Sequence, residues 1–176
     1  IDETNEWCTN MMHDHNVPEL ELEYKIDGLG LALIYKDGQL MDAVTRGKDN
    51  IGDSVFENAI RVKGIPSKIA MEGDVEIRGE VVWKYDDFEP INEQFAAEDK
   101  KVFANPRNGA AGTLKLHDPD EVERRGLSFI GYLIVKGSPN TTQSADIDTL
   151  ISLGFEVPEH HVVQHVVQFT AVAEGM

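Results

Sequence analysis

The sequence contains one cysteine, Cys8, among its 176 residues. A single thiol excludes an internal disulfide and any zinc site built from several cysteines. Long apolar runs are also lacking, because no stretch approaches the roughly 18 residues that suggest a membrane-spanning helix. The first 24 residues show no basic leader of the signal-peptide kind. We therefore expect a cytoplasmic protein with no membrane partner.

Lysine and arginine are absent from both ends of the sequence. Residues 1–24 carry seven acidic residues and residues 137–176 carry five, so all 16 basic residues lie between Lys25 and Lys136. The net charge is −16, of which −4 belongs to that central stretch. An acidic chain gains little from counterion release on DNA, so any action on nucleic acid needs other domains for most of the binding. Since the first residue is Ile1, we expect a piece of a longer chain.

The hydrophobic pattern mixes both kinds of secondary structure and predicts an α+β fold. Strands are predicted over 20–26, 29–36, 39–46, 74–83 and 127–136. Helices are predicted over 1–18, from Asp86 or Asp87 through Phe95 with Pro90 in the first turn, and over 143–153 before Gly154. The stretch "FANPRNGAAGTLKL" is predicted as a loop that runs into a helix of small residues. A capping box from Ser54 to Glu57 predicts a short helix reaching Val62. The apolar run 29–36 is typical of a central strand.

Asp-Gly occurs twice shortly after a lysine, in "KIDG" at 25–28 and in "KDG" at 36–38. Both pairs stand between apolar stretches, which is a strong hairpin signal. On a strand, Lys25 and Asp27 would point to the same face. A nucleophilic lysine must lose its proton near neutral pH, so it needs desolvation or nearby positive charge. These four residues alone fit a turn with a solvated lysine, and they do not distinguish Lys25 from Lys36.

Four longer stretches follow K-x-D-G in order: "TRGKDNIGDSVFEN", "VEIRGEV", "FANPRNGAAGTLK" and "LSFIGYL". Together they resemble the adenylation domain of NAD-dependent, bacterial-type DNA ligases. The resemblance is close over residues 20–136 and looser through "LISLGFEVP". K-x-D-G belongs to the wider class of covalent nucleotidyltransferases, whereas T-R-G-x(4)-G-D and A-N-P-R-N-x-A-A-G are more specific to the NAD-dependent branch.

The resemblance implies twisted, mainly antiparallel sheets with outer helices and a nucleotide lying between the sheets. It implies one adenylation domain in three parts. These are a helical segment over 1–19, a nucleotidyltransferase core over 20–136, and a helical and strand extension of the same domain over 137–176.

The resemblance also implies the reaction. In that family the K-x-D-G lysine attacks the α-phosphorus of NAD, with Mg²⁺ as cofactor, and keeps AMP as a phosphoramidate. AMP then passes to the 5′-phosphate of nicked double-stranded DNA, and the strand is sealed. Lys25 matches this nucleophile, and Lys36 becomes a plain turn residue.

Further roles carry over position by position. The resemblance places Glu23 at the adenine, Arg46 in the nucleotide pocket, Glu80 on the ribose hydroxyls, Arg107 near the phosphates and Tyr132 stacked on the adenine, with Asp27 and Gly28 completing K-x-D-G. Without the resemblance, Glu23 and Glu80 fit solvated strand carboxylates, and Tyr132 fits an ordinary core residue.

Three positions depart from the family pattern. Lys48-Asp49 replaces the usual Asp-Gly after T-R-G, and Lys115 stands where arginine is common. Gly109 replaces a usual alanine, which predicts a helix start weakened by about 1 kcal/mol.

The sequence shows neither the family's D-G-V-V-I-K and further lysine motifs nor its nicotinamide-binding subdomain and DNA-clamping modules. We expect the missing ligase domains or a partner subunit to supply them. The alternative function is a non-catalytic nucleotide-binding fragment, or one subunit of a split ligase. His161 and His165 stand at the helical spacing of a metal pair, but no third ligand is apparent, and packing is the preferred interpretation.

Overall fold

The structure is a computed structural model that describes residues 2–15, 17–47 and 52–175. Its helices are α1 Asp2–Thr9, α2 Phe56–Ala59, α3 Tyr85–Ala97, α4 Pro106–Leu114, α5 Pro119–Arg125, α6 Gln143–Ser152 and α7 Val166–Gly175. Its strands are β1 Leu20–Glu23, β2 Leu29–Lys36, β3 Gln39–Thr45, β4 Asp74–Val82, β5 Ser128–Lys136 and β6 His160–Val163. The predicted α+β class is confirmed.

The contacts divide the chain into two units, with boundaries after Lys25 and after Val157. The first unit joins the two ends of the sequence, and the second is the continuous stretch between the boundaries. The boundaries drawn from the motifs fall elsewhere, after residues 19 and 136. Within the described residues, no helix is long and apolar enough to cross a membrane.

In the first unit, β1 pairs antiparallel with β6, so that Leu20 lies opposite Val163. A small core of Cys8, Val163 and Phe169 lies among α1, β6 and α7. A π-helical turn, Asn10–Asp14, continues α1. This unit therefore depends on contacts between residues far apart in the sequence.

The second unit is built on an antiparallel sheet with strand order β3-β2-β4-β5. The prediction that 29–36 is a central strand is confirmed, because β2 pairs on both sides. Asp37 and Gly38 form the β2–β3 hairpin turn with φ of 48° and 78°, as a type I′ turn requires. Alternate residues of β4 are buried, as predicted, so one sheet face packs on the main core.

The first Asp-Gly pair behaves differently from the second. The predicted strand over 20–26 ends at Glu23, and its partner is β6 and not β2. Asp27-Gly28 is therefore not a hairpin turn, and the prediction that Lys25 and Asp27 share one face of a strand is wrong. The reason is a long-range strand pairing that the local pattern does not contain.

Two predicted helix starts are also wrong. Ser54 donates its hydroxyl to the Asp42 carboxylate at 2.6 Å, so it is not a capping-box residue, and α2 begins after Val55 without a side-chain cap. Helix α3 begins at Tyr85, which moves Pro90 beyond the first turn.

Helix α5 was not among the predicted elements. Asp118 caps it by accepting from the Asp120 amide, Pro119 opens it and Gly126 ends it with φ of 69°. These signals were present in the sequence. The predicted end of α6 is confirmed, because Gly154 has φ of 90°.

The histidine pair does not have helical spacing. His161 lies in β6, whereas His165 precedes α7. The i, i+4 metal-pair geometry is therefore absent. Over residues 2–15, 17–47 and 52–175, no group of three or more metal-ligating side chains is present.

Candidate functional site

The predicted site residues divide between the two units. Glu23 and Lys25 belong to the first unit. The second unit holds the larger set, Asp27, Gly28, Arg46, Glu80, Arg107 and Tyr132. The second unit brings its members together as two clusters, one on the outer face of its sheet and one at the start of α4.

The sheet cluster is centred on Gly30, a residue that the sequence analysis did not select. Gly30 on β2 lies opposite Glu80 on β4, and its carbonyl accepts the Arg46 amide at 3.0 Å. A Cβ placed on Gly30 would lie 3.5 Å from Arg46 Cβ and 3.6 Å from Glu80 Oε1. The two charged side chains thus flank a bare stretch of backbone, where a ligand can approach closely. A glycine inside an apolar strand was the signal available in the sequence.

Tyr132 also belongs to this cluster, because the pairing of β5 with β4 is irregular at this residue. Gly131 lies opposite Gly79 and Leu133 opposite Arg78, so Tyr132 is the extra residue of a β-bulge. Bulges re-aim side chains near functional sites. Burial, followed by the nearby Glu80 carboxylate and its hydrogen bond, raises the pKa of Tyr132 above its usual range. The phenol therefore stays neutral at physiological pH.

The second cluster is an ion pair between residues 80 positions apart. Arg107 Nη1 lies 2.6 Å from Asp27 Oδ1, with the two side chains 60% and 68% exposed. At this exposure an ion pair contributes at most about 1 kcal/mol of stability. Breaking this ion pair therefore costs little free energy, and a charged ligand can replace either partner.

The start of α4 presents Arg107 in a defined position. Asn105 caps the helix by accepting the Asn108 amide at 2.8 Å, and Pro106 opens it. Proline suits this place because its missing amide hydrogen has no helical partner there. Arg107 is thus the second helical residue, where its positive charge adds to that of the helix N-terminus.

Gly28 holds the segment of Asp27 close to the end of β4. Gly28 is buried, and a Cβ there would lie 2.5 Å from the Val81 carbonyl oxygen. A side chain there would force the two backbones apart, so glycine permits this close approach. This contact places Asp27 at the end of the sheet that also carries Glu80.

The two candidate site residues of the first unit, Glu23 and Lys25, lie at the end of β1 and just after it. Glu23 is the last residue of β1 and lies opposite His160. Lys25 follows the strand, and its side chain is exposed. Among the described residues, its amine makes no ion pair.

The three positions that depart from the family pattern have different structural surroundings. Lys48-Asp49 lies outside the described residues. Lys115 Nζ pairs with Asp53 Oδ2 at 2.9 Å on the surface. Gly109 has a packing role, because a Cβ there would lie 2.7 Å from the buried Trp83 ring.

The sequence matches the NAD-dependent DNA ligase adenylation domain family over residues 1–174. It is similar to the DNA ligase of Metamycoplasma arthritidis, with 45% identity over 138 residues, covering 77% of this chain and 21% of the relative. It is also similar to the DNA ligase of Acidobacterium capsulatum, with 39% identity over 171 residues, covering 89% of this chain and 25% of the relative.

The DNA ligase of Mycoplasma capricolum is 42% identical over 139 residues, which cover 78% of this chain and 21% of that protein. The matched chains are thus DNA ligases as a class. More narrowly, this chain belongs to the family of NAD-dependent DNA ligase adenylation domains. It spans about a quarter or less of the length of these curated relatives.

Proposed function

We propose that this chain carries the self-adenylation step of an NAD-dependent DNA ligase. Its substrate is NAD, and Lys25 is the residue that receives AMP. The parent enzyme then transfers AMP to the 5′-phosphate of nicked double-stranded DNA. The observation that supports this proposal most strongly is the arrangement of Arg46, Glu80 and Tyr132 around the bare backbone of Gly30.

The sheet cluster has the chemistry needed for a nucleoside. The Glu80 carboxylate is an acceptor for the two ribose hydroxyls. The neutral Tyr132 ring offers a surface on which a purine can stack. Arg46 on the other side of Gly30 gives a positive charge beside the same backbone. We also assign Glu23 to the adenine site, and this assignment rests on the family match alone.

The ion-pair cluster has the chemistry needed for phosphates. Arg107 combines a planar guanidinium with the positive end of α4, and both favour phosphate oxygens. Its exposed partner Asp27 can be displaced at small cost, for the reason given above. Asp27, two residues after Lys25 in the sequence, would then be released from its ion pair. Gly28 keeps this segment against β4.

The reaction assigned to Lys25 is a substitution at phosphorus. The neutral amine forms a P–N bond to the α-phosphorus, and the bond to the oxygen of the nicotinamide mononucleotide breaks. The mononucleotide leaves with the electron pair, and the amine proton passes to solvent. Such transfers depend on positioning and charge neutralisation more than on covalent help.

Mg²⁺ fits this arrangement in one particular way. The described residues contain no group of three or more metal-ligating side chains, whereas Mg²⁺ commonly keeps its waters and binds substrate phosphates with one or two carboxylates. Among the described residues, Asp27 is the one that we propose would hold the ion together with the phosphates of the substrate. When bound, the ion would neutralise the charge of the phosphates.

Intact-mass measurement after incubation with NAD and Mg²⁺ tests the proposal. We expect a gain of one AMP in the chain without substitutions. We expect the same gain in Lys36→Ala, which alters the other lysine that precedes Asp-Gly. Lys25→Ala should show no gain. A gain that survives Lys25→Ala contradicts the assignment of the nucleophile.

The same experiment distinguishes self-adenylation from the alternative function. Binding of AMP without any gain in mass would identify the chain as a non-catalytic nucleotide-binding fragment or a subunit of a split ligase. The measurement is then repeated on the full-length parent protein. If the full-length protein also gains no AMP, the proposed step is wrong.

A further inference from the structure

Asn92 makes a two-way connection to the backbone of Phe103. Its side-chain Nδ2 donates to the Phe103 carbonyl at 3.1 Å, and its Oδ1 accepts the Phe103 amide at 2.8 Å. Asn92 is half-buried on α3, and Phe103 lies in the irregular segment before α4. A primary amide satisfies a donor and an acceptor of one residue simultaneously, which few other side chains can do.

The ring of Phe103 lies beneath α4. A Cβ on Gly109 would approach the ring at 3.4 Å, and a Cβ on Gly112 would approach it at 3.3 Å. Trp83 packs edge-on against the same ring, with centroids 5.8 Å apart. The Phe103 ring therefore fills the space that Gly112 leaves open, and it shares the space at Gly109 with the Trp83 ring. The height of α4 above the sheet depends on where Phe103 is held.

Arg125 completes this layer from the side of α5. Its side chain is only 12% exposed, and its guanidinium lies 4.9 Å from the Phe95 ring centre and 5.8 Å from that of Phe103. It also donates to Thr113 of α4 at 3.1 Å. Arg125 therefore restrains the far end of α4, whereas Asn92 acts on the segment that leads into its start.

We propose that Asn92 is a positioning residue for Arg107. By fixing Phe103, it sets the start of α4 and so keeps the guanidinium facing Asp27. This inference rests on the proposed function, in which Arg107 contacts the phosphates of the nucleotide. Among the described residues, Asn92 makes no hydrogen bond to Arg107 or Asp27.

Native-state hydrogen exchange tests the structural half of the inference without any ligand. Asn92→Leu keeps the size of the side chain and removes both hydrogen bonds. We expect exchange at the Phe103 and Asn108 amides to become at least about tenfold faster, since opening there no longer breaks these bonds. Amides of the paired strands β2 and β4 should be unchanged.

Two further variants sharpen this result. Asn92→Asp keeps the acceptor for the Phe103 amide but sets a carboxylate oxygen against the Phe103 carbonyl, so it should restore only part of the protection that Asn92→Leu removes. Gln94→Leu removes an exposed hydrogen bond to Glu98 on the same helix and should leave the Asn108 amide unchanged. Uniformly faster exchange throughout the sheet, or no change at Asn108, would overturn the inference.

AMP binding, measured by calorimetry, tests the functional half through a double-mutant cycle. We expect Asn92→Leu to weaken binding about three- to tenfold when Arg107 is present, and less than twofold in an Arg107→Met background. Equal losses in both backgrounds would show that Asn92 does not act through Arg107. A parent chain that does not bind AMP contradicts the proposed function, and the exchange pattern then still decides the role of Asn92.

Discussion

Asn58 closes the end of α4 opposite to Arg107, and its replacement has a calculable cost. Asn58 is 8% exposed, and its Nδ2 donates to the carbonyl oxygens of Leu114 and Leu116 at 2.8 and 2.7 Å. Leu114 is the last residue of α4. Carbonyls at a helix C-terminus have no partner within the helix, so one side chain satisfies both groups here.

The magnitude follows from these two bonds. Each contributes about 0.5–1.5 kcal/mol, and a buried acceptor left unpaired costs about 1–3 kcal/mol. Asn58→Leu, which conserves size, should therefore lower the free energy of unfolding by about 2–3 kcal/mol. Asn58→Asp should cost more, because the introduced carboxylate would face two carbonyl oxygens. For a chain of this length, 2–3 kcal/mol lowers Tm by about 5–10 °C.

Urea unfolding followed by tryptophan fluorescence measures this change. Trp83 is buried in the second unit, whereas Trp7 is 52% exposed in the first, so a Trp7→Phe background makes Trp83 the reporter. Asn10→Leu, which removes an exposed bond to Asp14, should stay within about 0.5 kcal/mol of the parent. A loss below about 1 kcal/mol for Asn58→Leu would refute the reasoning and show that water replaces the amide.

Two further predictions concern Gly28 and Tyr132. Gly28→Ala should lower the free energy of unfolding, measured in urea, by about 1–3 kcal/mol, because the new Cβ would meet the Val81 carbonyl oxygen at 2.5 Å. Gly175→Ala, whose new Cβ would have no atom of the described side chains within 4 Å, should change little. Because the pKa of Tyr132 is raised in the folded state, its contribution to stability is complete below pH about 10 and declines as pH rises through the folded pKa. Tyr132→Phe should make the alkaline decline smaller, with a remainder to which Tyr35 contributes because burial raises its pKa as well, whereas an unchanged alkaline profile would contradict the prediction.

Local patterns predicted the elements whose partners are near in the sequence. The β2–β3 hairpin was readable because Asp37-Gly38 has the turn chemistry that its neighbours require. The alternation of β4 likewise indicated its buried face. Asp27-Gly28 has the same two residue types, but the pairing of β1 with β6 decides its structure, and no local pattern contains that information. At Ser54, the nearby Asp42 carboxylate competes successfully for the hydroxyl that a capping box would use.

For the candidate site, the sequence indicated individual residues, and their roles stay predictions. The resemblance selected the charged and aromatic residues, which differ visibly from their surroundings. It did not select Gly30, because a glycine inside an apolar strand is a weak signal until the neighbouring residues on both adjacent strands are known. Asn58 and Asn92 were not selected either, since an amide on a helix resembles an ordinary surface residue until its backbone partners are identified.

The pairing of β1 with β6 also orders events during synthesis on the ribosome. Translation adds about 5–20 residues each second, so β1 waits on the order of ten seconds for the strand that completes its ladder. Meanwhile the whole stretch from Ile26 to Val157 emerges and can begin to fold as an insertion. During that wait β1 is an unpaired strand, open to pairing with another nascent copy. Its alternating glutamates, Glu21 and Glu23, put like charges on the same face of any such copy and so discourage that pairing.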